Sequence, residues 1–376
     1  MKIILCPNSF KESISSIDAS NAILCGLKKT LNNSDFVKLP IADGGDGSLE
    51  VFQKYVEGVI IDKVILSPNG KKIISKYLLF DNGRSAFIEL SNSSGLKLVE
   101  TKDRNPFSYN SYGTGQIILS AIKKGAKKII IALGGSATVD GGTGILFALG
   151  TKFYDSNGNE LNKNNFLNEI SKIQSDKMNF SDIEFILLTD VNNKLLGKKG
   201  ASFVFAPQKG ASKADVKKLE KGLKKFSLLT KKKTNRNPEI IVGGGAAGGI
   251  AAFLKVYLNA KIYKGTDFFL KTIQFDKKIK NSTMLITGEG KLDRQTLYGK
   301  APLVVAKKAK KSNLSTVALV GSVENEAFSD LNKIFDIIIP FQKKSKKYSI
   351  LNAKELLIDA SEKLGEIISL SEKINR

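Results

Sequence analysis

The chain has 376 residues, 42% hydrophobic and 25% charged, which is room for two domains, and no apolar run nears the ~20 residues of a membrane span. Lysine and arginine number 59 against 36 acids, a net charge of +23; only Arg84, Arg104, Arg236, Arg294 and Arg376 are arginine, so the reading is lysine-rich surface with no nucleic-acid or membrane partner. Histidine is absent, which excludes Ser-His-Asp and Cys-His catalysis and histidine-ligated metals and leaves carboxylate, lysine, tyrosine or cysteine to move protons.

Residues 2–6 form a predicted strand, too short for the apolar region of a signal peptide, and the cytoplasm is the expected compartment. Cys6 on this strand and Cys25 on the next helix lack zinc spacing and disulfide density, so both are expected as reduced thiols. A polar turn, Asn8-Ser9-Phe10-Lys11, leads into a helix with Ala19, Ala22, Ile23, Gly26 and Leu27 on its apolar face. Lys11 lies beyond a strand's carboxyl end, where open α/β sheets gather ligands; it is either an anion ligand or a surface lysine. A second strand over residues 36–41 ends in Ala-Asp-Gly-Gly-Asp-Gly-Ser. There Asp43 and Asp46 flank two glycines: an Asp-Gly turn with Asp46 as helix cap accounts for them, and so does a magnesium or ligand-hydroxyl site.

Residues 59–66, 73–80 and 85–90 alternate in polarity and are separated by Pro68-Asn69-Gly70 and Asp81-Asn82-Gly83, the signature of hairpins. A meander inside a chain that otherwise alternates strand and helix predicts a change of domain. The expected division is a Rossmann-like domain of residues 1–57 and 284–376 and a second α/β domain of residues 58–283. The meander closes in a small polar loop, 89–95, and Ser111-Tyr112-Gly113-Thr114-Gly115 then opens a helix.

The apolar run 129–133 reads as a strand buried on both faces, and it breaks into Gly134, Gly135, Ser136 and Thr138, followed by Asp140, Gly141, Gly142 and Gly144. Such a loop can wrap a phosphate with backbone amides, or be a tight connection; its recurrence along the chain favours phosphate. Residues 183–189 predict another buried strand with Asp190, Val191, Asn192 and Asn193 at its end, a place where a carboxylate reads as functional. Pro207-Gln208-Lys209-Gly210-Ala211 precedes a helix through Val216, Leu219 and Leu223.

Gly243, Gly245 and Gly248 then match GxGxxG, the phosphate-binding turn of a dinucleotide-dependent hydride-transfer enzyme, though the acid this motif needs has only Asp267 as a candidate. A short strand at 283–286 leads into Thr287-Gly288-Glu289-Gly290-Lys291-Leu292-Asp293-Arg294-Gln295-Thr296, read as a loop. Its two acids, lysine and two glycines fit an ATP–magnesium site, the alternative being a solvated loop. Two last strands, 315–320 and 334–340, precede a closing amphipathic helix through Ala353, Leu356, Leu357, Ala360, Leu364 and Ile367.

Taken together, the segments NSFKESIS, ADGGDGS, IELSNSSGL, YGTGQ, GGSATVDGGTG, VFAPQKGA, GGGAAGG, ITGEGKLDRQT and GKAP resemble the bacterial glycerate kinase family along nearly the whole chain. The resemblance implies a two-domain α/β enzyme with its active site in the cleft between a Rossmann-like domain and a meander-containing one. It implies ATP-dependent, Mg2+-assisted phosphorylation of D-glycerate, with the 2-hydroxyl favoured and the 3-phosphate product open, by a monomer or homodimer. No GxxxxGK[ST] P-loop occurs and a protein-kinase HRD loop is impossible without histidine, so ATP must be held by other glycine loops.

On this reading Asp190, Lys291 and Asp293 are catalytic, with Asp190 the general base. Lys11, Asp43, Ser94 and Asn193 bind substrate, Gly134, Gly135, Ser136, Thr138, Gly288 and Gly290 bind nucleotide, and Asp43, Asp190 and Glu289 share the metal. The chain departs from the family pattern where Asn8 stands for Asp, Glu12 for Gly and Lys194 for Pro.

Overall fold

The computed structural model describes residues 1–374 apart from 162–165, 176–178, 295 and 343–344, and it is a mixed α/β protein. It divides into two compact units: Met1–Asp43, Glu50–Tyr55 and Thr266–Arg376 form the first, and Gly44–Leu49 with Val56–Gly265 the second. Residues 266–283, which the sequence reading assigns to the second domain, group with the first unit. Among the described residues no helix is long and apolar enough to cross a membrane.

The first unit is built on a wholly parallel five-stranded sheet in the order Ile337–Pro340, Ser315–Val323, Met284–Leu292, Lys2–Leu5, Asp35–Lys38. Ile3, Leu5, Ile286, Val317 and Leu319 supply the strands' share of its core, completed by Ile23 and Leu27 of helix Ser16–Lys28 and Leu357 and Leu364 of helix Ala353–Ile374. The first of these helices starts where the Ser15 hydroxyl accepts from the Asp18 amide, satisfying one of the donors that a helix start leaves open.

One sequence expectation fails here. The glycine- and charge-rich stretch after Ile286 is no loop: the strand continues to Leu292, with Gly288 opposite Leu319 and Lys291 opposite Ser322. Gly288 suits that register because a side chain there would overlap the Leu319 carbonyl and crowd the Phe10 ring.

The second unit has a six-stranded sheet ordered Lys261–Tyr263, Glu184–Leu188, Lys128–Ala132, Ser85–Glu89, Lys72–Phe80, Gly58–Leu66. The first four run parallel, and the last two add an antiparallel meander. Asp81 and Asn82 take positive φ (55° and 52°) ahead of Gly83, as the tight turn between strands demands. Ile88, Ile129, Ile131 and Leu187 fill the core, with Phe226 and Phe253 stacked 3.9 Å apart. A small antiparallel sheet of Lys152–Tyr154, Glu160–Leu161 and Lys172–Gln174 has no counterpart in the sequence reading. The residues ahead of the GxGxxG segment form a 3-10 turn, Pro238–Ile240, so no strand enters it.

Candidate active site

In the first unit the candidate side chains gather around the end of strand Met284–Leu292. Glu289 is 8% exposed, and burial pushes its carboxyl up to about 7 against the pull of Lys300 and of the Thr296 hydroxyl, while Asp43 adds a further upward push. Thr296 Oγ1 donates to Glu289 Oε1 at 3.1 Å, and the Thr296 amide donates to Asp293 Oδ1 at 3.0 Å. Lys300 Nζ donates to the same Asp293 oxygen at 3.0 Å. Burial acts to raise Asp293 too, but Lys300 and Thr296 outweigh it and hold the carboxyl below its ordinary value. The cluster therefore pairs a carboxyl that holds its proton up to neutral pH with one that stays ionised, a combination able to offer both a donor and an anion.

Asp43 belongs to the same unit and accepts from Asn8 Nδ2 at 3.4 Å, while the Asn8 amide donates to the Gly288 carbonyl at 2.9 Å. Asn8 thus ties the end of the first strand to the strand that carries Glu289. Gly290 lies beside the backbone of Lys11, 3.7 Å from the Lys11 nitrogen to where a Cβ would sit, but the Lys11 side chain itself is exposed. Lys291 points to solvent, half exposed, and pairs with Glu324 at 3.3 Å. The lysine that meets the carboxylates is Lys300, which the sequence reading passed over although it stands one residue before a helix beginning Ala301-Pro302.

In the second unit the segments 44–49 and 134–138 are docked on each other. The Gly134 amide donates to the Gly44 carbonyl at 2.8 Å, and any side chain at Gly134 would overlap Gly45 Cα. Gly135 takes φ +75°, and a Cβ there would stand 2.8 Å from Asp46 Oδ2. Glu89, 2% exposed, anchors the junction by accepting from the amides of Gly47 (3.2 Å) and Leu49 (2.8 Å), the Ser91 hydroxyl (2.7 Å) and Lys97 Nζ (3.2 Å). The Ala137 amide is taken by the Ser94 carbonyl, and the Gly135 carbonyl by the Leu96 amide. Among the described residues, the amides of Gly135, Ser136 and Thr138 meet no acceptor.

Beneath this loop lies Lys209, 2% exposed, whose Nζ donates to Ser136 Oγ at 2.8 Å and to the Thr138 carbonyl at 2.7 Å. Burial lowers its ammonium to about 7, with Asp140 opposing. Asp140 is itself saturated: it accepts from the Ser111 amide (2.8 Å) and hydroxyl (2.7 Å) and from the amides of Gly142 (3.0 Å) and Gly144 (3.2 Å). Thr138 is fully buried, with no partner for its hydroxyl among the described residues. The loop's accessible face is therefore Gly134, Gly135 and the edge of Ser136.

Asp190 stands half-buried two residues past strand Glu184–Leu188, at the carboxyl end of the sheet, where Leu133 begins the glycine loop by donating to the Leu188 carbonyl at 3.1 Å. Asn193 is tied to its own loop, donating to the Lys199 carbonyl at 2.7 Å while its backbone carbonyl accepts from Gly245 at 2.9 Å. Ser94 is fully buried and its hydroxyl is engaged with Thr114 Oγ1 at 2.7 Å. The GxGxxG glycines serve packing: a side chain at Gly248 would overlap the Thr138 carbonyl, and the Gly141 amide donates to the Gly248 carbonyl. With no strand before it and its glycines spent on neighbouring loops, this segment lacks the context of a dinucleotide turn.

Among the described residues no three acidic or thiol side chains converge tightly enough to cage a metal. A magnesium ion that keeps most of its water would need only one or two carboxylates, and both units carry acids that could supply them.

The sequence model of the glycerate kinase family matches residues 3–369. Glycerate kinase of Bacillus subtilis (strain 168) is 36% identical over 330 residues, 87% of this chain and 86% of that one. Glycerate 2-kinase of Escherichia coli (strain K12) is 37% identical over 330 residues, with 87% and 86% covered. The crystal structure of a protein provisionally named glycerate kinase 2, from Salmonella typhimurium LT2, superposes with a TM-score of 0.81 at 32% identity, covering 99% of both chains.

Proposed function

The chain belongs to the glycerate kinase family, and on that premise we propose that it transfers the γ-phosphoryl group of ATP to the 2-hydroxyl of D-glycerate with Mg2+. The choice of the 2-hydroxyl is supported by the 37% identity to a relative named glycerate 2-kinase. The observation that carries the phosphate half of the reading is the 134–138 loop, with amides at Gly135 and Ser136 that meet no acceptor among the described residues, over the buried ammonium of Lys209. Oriented amides and a fixed cation are what phosphoryl transfer draws on, because its catalysis is mostly positioning and electrostatic stabilisation.

The roles follow from the chemistry of each group. Gly134, Gly135 and Ser136 line the nucleotide phosphates. Asp190 takes the proton of the attacking hydroxyl, since the chain has no histidine to do so. Asp43 and Glu289 are carboxylates that fit a divalent cation, and Asp293 with Lys300 keeps their surroundings polarised. The cation, when bound, would neutralise charge on the transferring phosphate. Lys11, exposed after the first strand, suits the carboxylate of glycerate, and Asn193 suits its hydroxyls. Lys291, paired with Glu324, is free to exchange that partner for phosphate because the pair is solvent-exposed.

Incubation with Mg-ATP and D-glycerate, followed by phosphorus NMR of the product, tests the reading. A 2-phosphoglycerate resonance is expected. A 3-phosphoglycerate resonance would move the site of transfer, and ATP left intact beside D-glycerate would overturn the activity.

A further inference from the structure

Lys209 sits where a lysine is costly. Its ammonium is out of water and its two protein acceptors are neutral oxygens, Ser136 Oγ and the Thr138 carbonyl; the nearby carboxylate, Asp140, has its own four donors and acts on Lys209 only through space. A residue kept for packing alone would be better served there by a methionine, which fills a similar volume without desolvating a charge.

We propose that Lys209 is a positioning residue for the phosphate chain of the nucleotide: by donating to Ser136 Oγ from below, it forces the serine's own proton to the other side, where it joins the Gly135 and Ser136 amides as an anion donor. A hydroxyl that accepts from an ammonium keeps one proton to give, and among the described residues no acceptor takes it. The second ammonium bond, to the Thr138 carbonyl, fixes the far end of the same loop, so one side chain sets both the direction of the hydroxyl and the curvature of the cradle. The lowered ammonium agrees with this: the free loop leaves the cation under-compensated, and an anion above it supplies the missing partner. The inference rests on the loop holding nucleotide phosphate, as proposed above.

Two variants test it, with tripolyphosphate and a non-hydrolysable ATP analogue as probes in calorimetry beside the kinetic assay. Lys209→Met is expected to fold with unchanged or raised thermal stability, to weaken both probes about tenfold or more, and to raise KM for ATP in step while KM for D-glycerate stays within about twofold. Ser136→Ala should reproduce most of that loss, and the double variant should be no worse than Lys209→Met, because the lysine acts through the serine. Wild-type affinity for tripolyphosphate in folded Lys209→Met, or losses that add in the double variant, would overturn the proposal. If Lys209→Met fails to fold, Ser136→Ala decides alone: wild-type affinity in that variant rejects it. Absence of glycerate phosphorylation in the unmodified enzyme would strike the proposed activity and leave the tripolyphosphate result to judge Lys209.

Discussion

In the first unit Lys300 is partly exposed and donates to a carboxylate, Asp293, 3.0 Å away; in the second, Lys209 is buried and donates to a hydroxyl and a carbonyl at 2.8 and 2.7 Å. The first lysine meets its counter-charge inside the protein and uses it to keep Asp293 ionised. The second has its charge only half answered and falls to about 7. The two units also differ in a turn each: the second puts Gly135 at φ +75°, and the first puts Glu12 at φ +63°. A cation that has its partner sets the state of neighbouring acids, whereas a cation that lacks one is prepared for an anion from outside.

This contrast gives the lysines to charge and leaves proton transfer to a carboxylate, and the largest expected effect tests that division. Asp190→Asn keeps the shape and removes the proposed base, so kcat should fall by about 10²–10⁴-fold with binding of D-glycerate little changed. A steady-state assay beside calorimetric binding checks it. Turnover near the wild-type level in folded Asp190→Asn would break the division and send the search to Asp43 and Glu289. Next in size is Lys300→Met, which strips Asp293 of its cation and lets both acids of the cluster rise towards the protonated form. Turnover should drop by roughly 10–100-fold, with ATP affinity changing less than in Lys209→Met. Equal losses of ATP affinity in the two variants would mean that the two lysines do the same work.

The contrast is sharpest in the pH dependence of stability without nucleotide or divalent cation. Glu289 has its folded pKa raised from 4.5 to about 7, so between those values the folded protein holds a proton that the unfolded chain has shed. Its contribution is therefore present at low pH and declines as pH rises to about 7, by up to about 1.4 kcal/mol per pH unit. Lys209 has its folded pKa lowered from 10.5 to about 7, so above 7 the unfolded chain holds the extra proton and stability rises with pH over that window. Urea unfolding across the range should show Glu289→Gln flattening the lower slope and Lys209→Met the upper one. If either variant left its slope unchanged, the assigned environment of that residue would be wrong.

The sequence made the strands legible where burial on both faces leaves an unbroken apolar run, as at 129–133 and 183–189, and the meander legible where Pro68-Asn69-Gly70 and Asp81-Asn82-Gly83 punctuate it. It misled at residues 287–292, because glycine and charged residues read locally as loop while pairing with strand Ser315–Val323 decides the backbone. It also could not separate glycines that expose amides from those that make room. Gly245 and Gly248 are spent on neighbouring backbone, a fact set by loops distant in sequence. Lys209 was hidden for the same reason, since its oxygens come from residues 71 and 73 positions away, whereas Asp293 lies only 7 positions before Lys300. The one local signal for Lys209 was a lysine between apolar Val204-Phe205-Ala206-Pro207 and Gly210-Ala211.

The smallest effect lies in the turn after the first strand, where the two units' use of positive φ can be compared directly. The turn closes with the Ser13 and Ile14 amides donating to the Phe10 carbonyl at 3.0 and 3.1 Å and the Phe10 amide donating to Ile14, which drives Glu12 into the left-handed region. A residue with a Cβ pays about 1–2 kcal/mol there, while glycine gives back roughly 0.4–1 kcal/mol through the greater freedom of its unfolded chain. Glu12→Gly should therefore stabilise the protein by about 0.5–1 kcal/mol, a rise in Tm of roughly 2 °C, in a thermal scan. Glu12 is exposed, so losing its charge alone should count for little, and Glu12→Ala separates the causes: alanine keeps the Cβ and should give no gain. A gain shared by Ala and Gly would assign the effect to the carboxylate, and the strain at Glu12 would then be no part of what distinguishes this turn from the loop at Gly135.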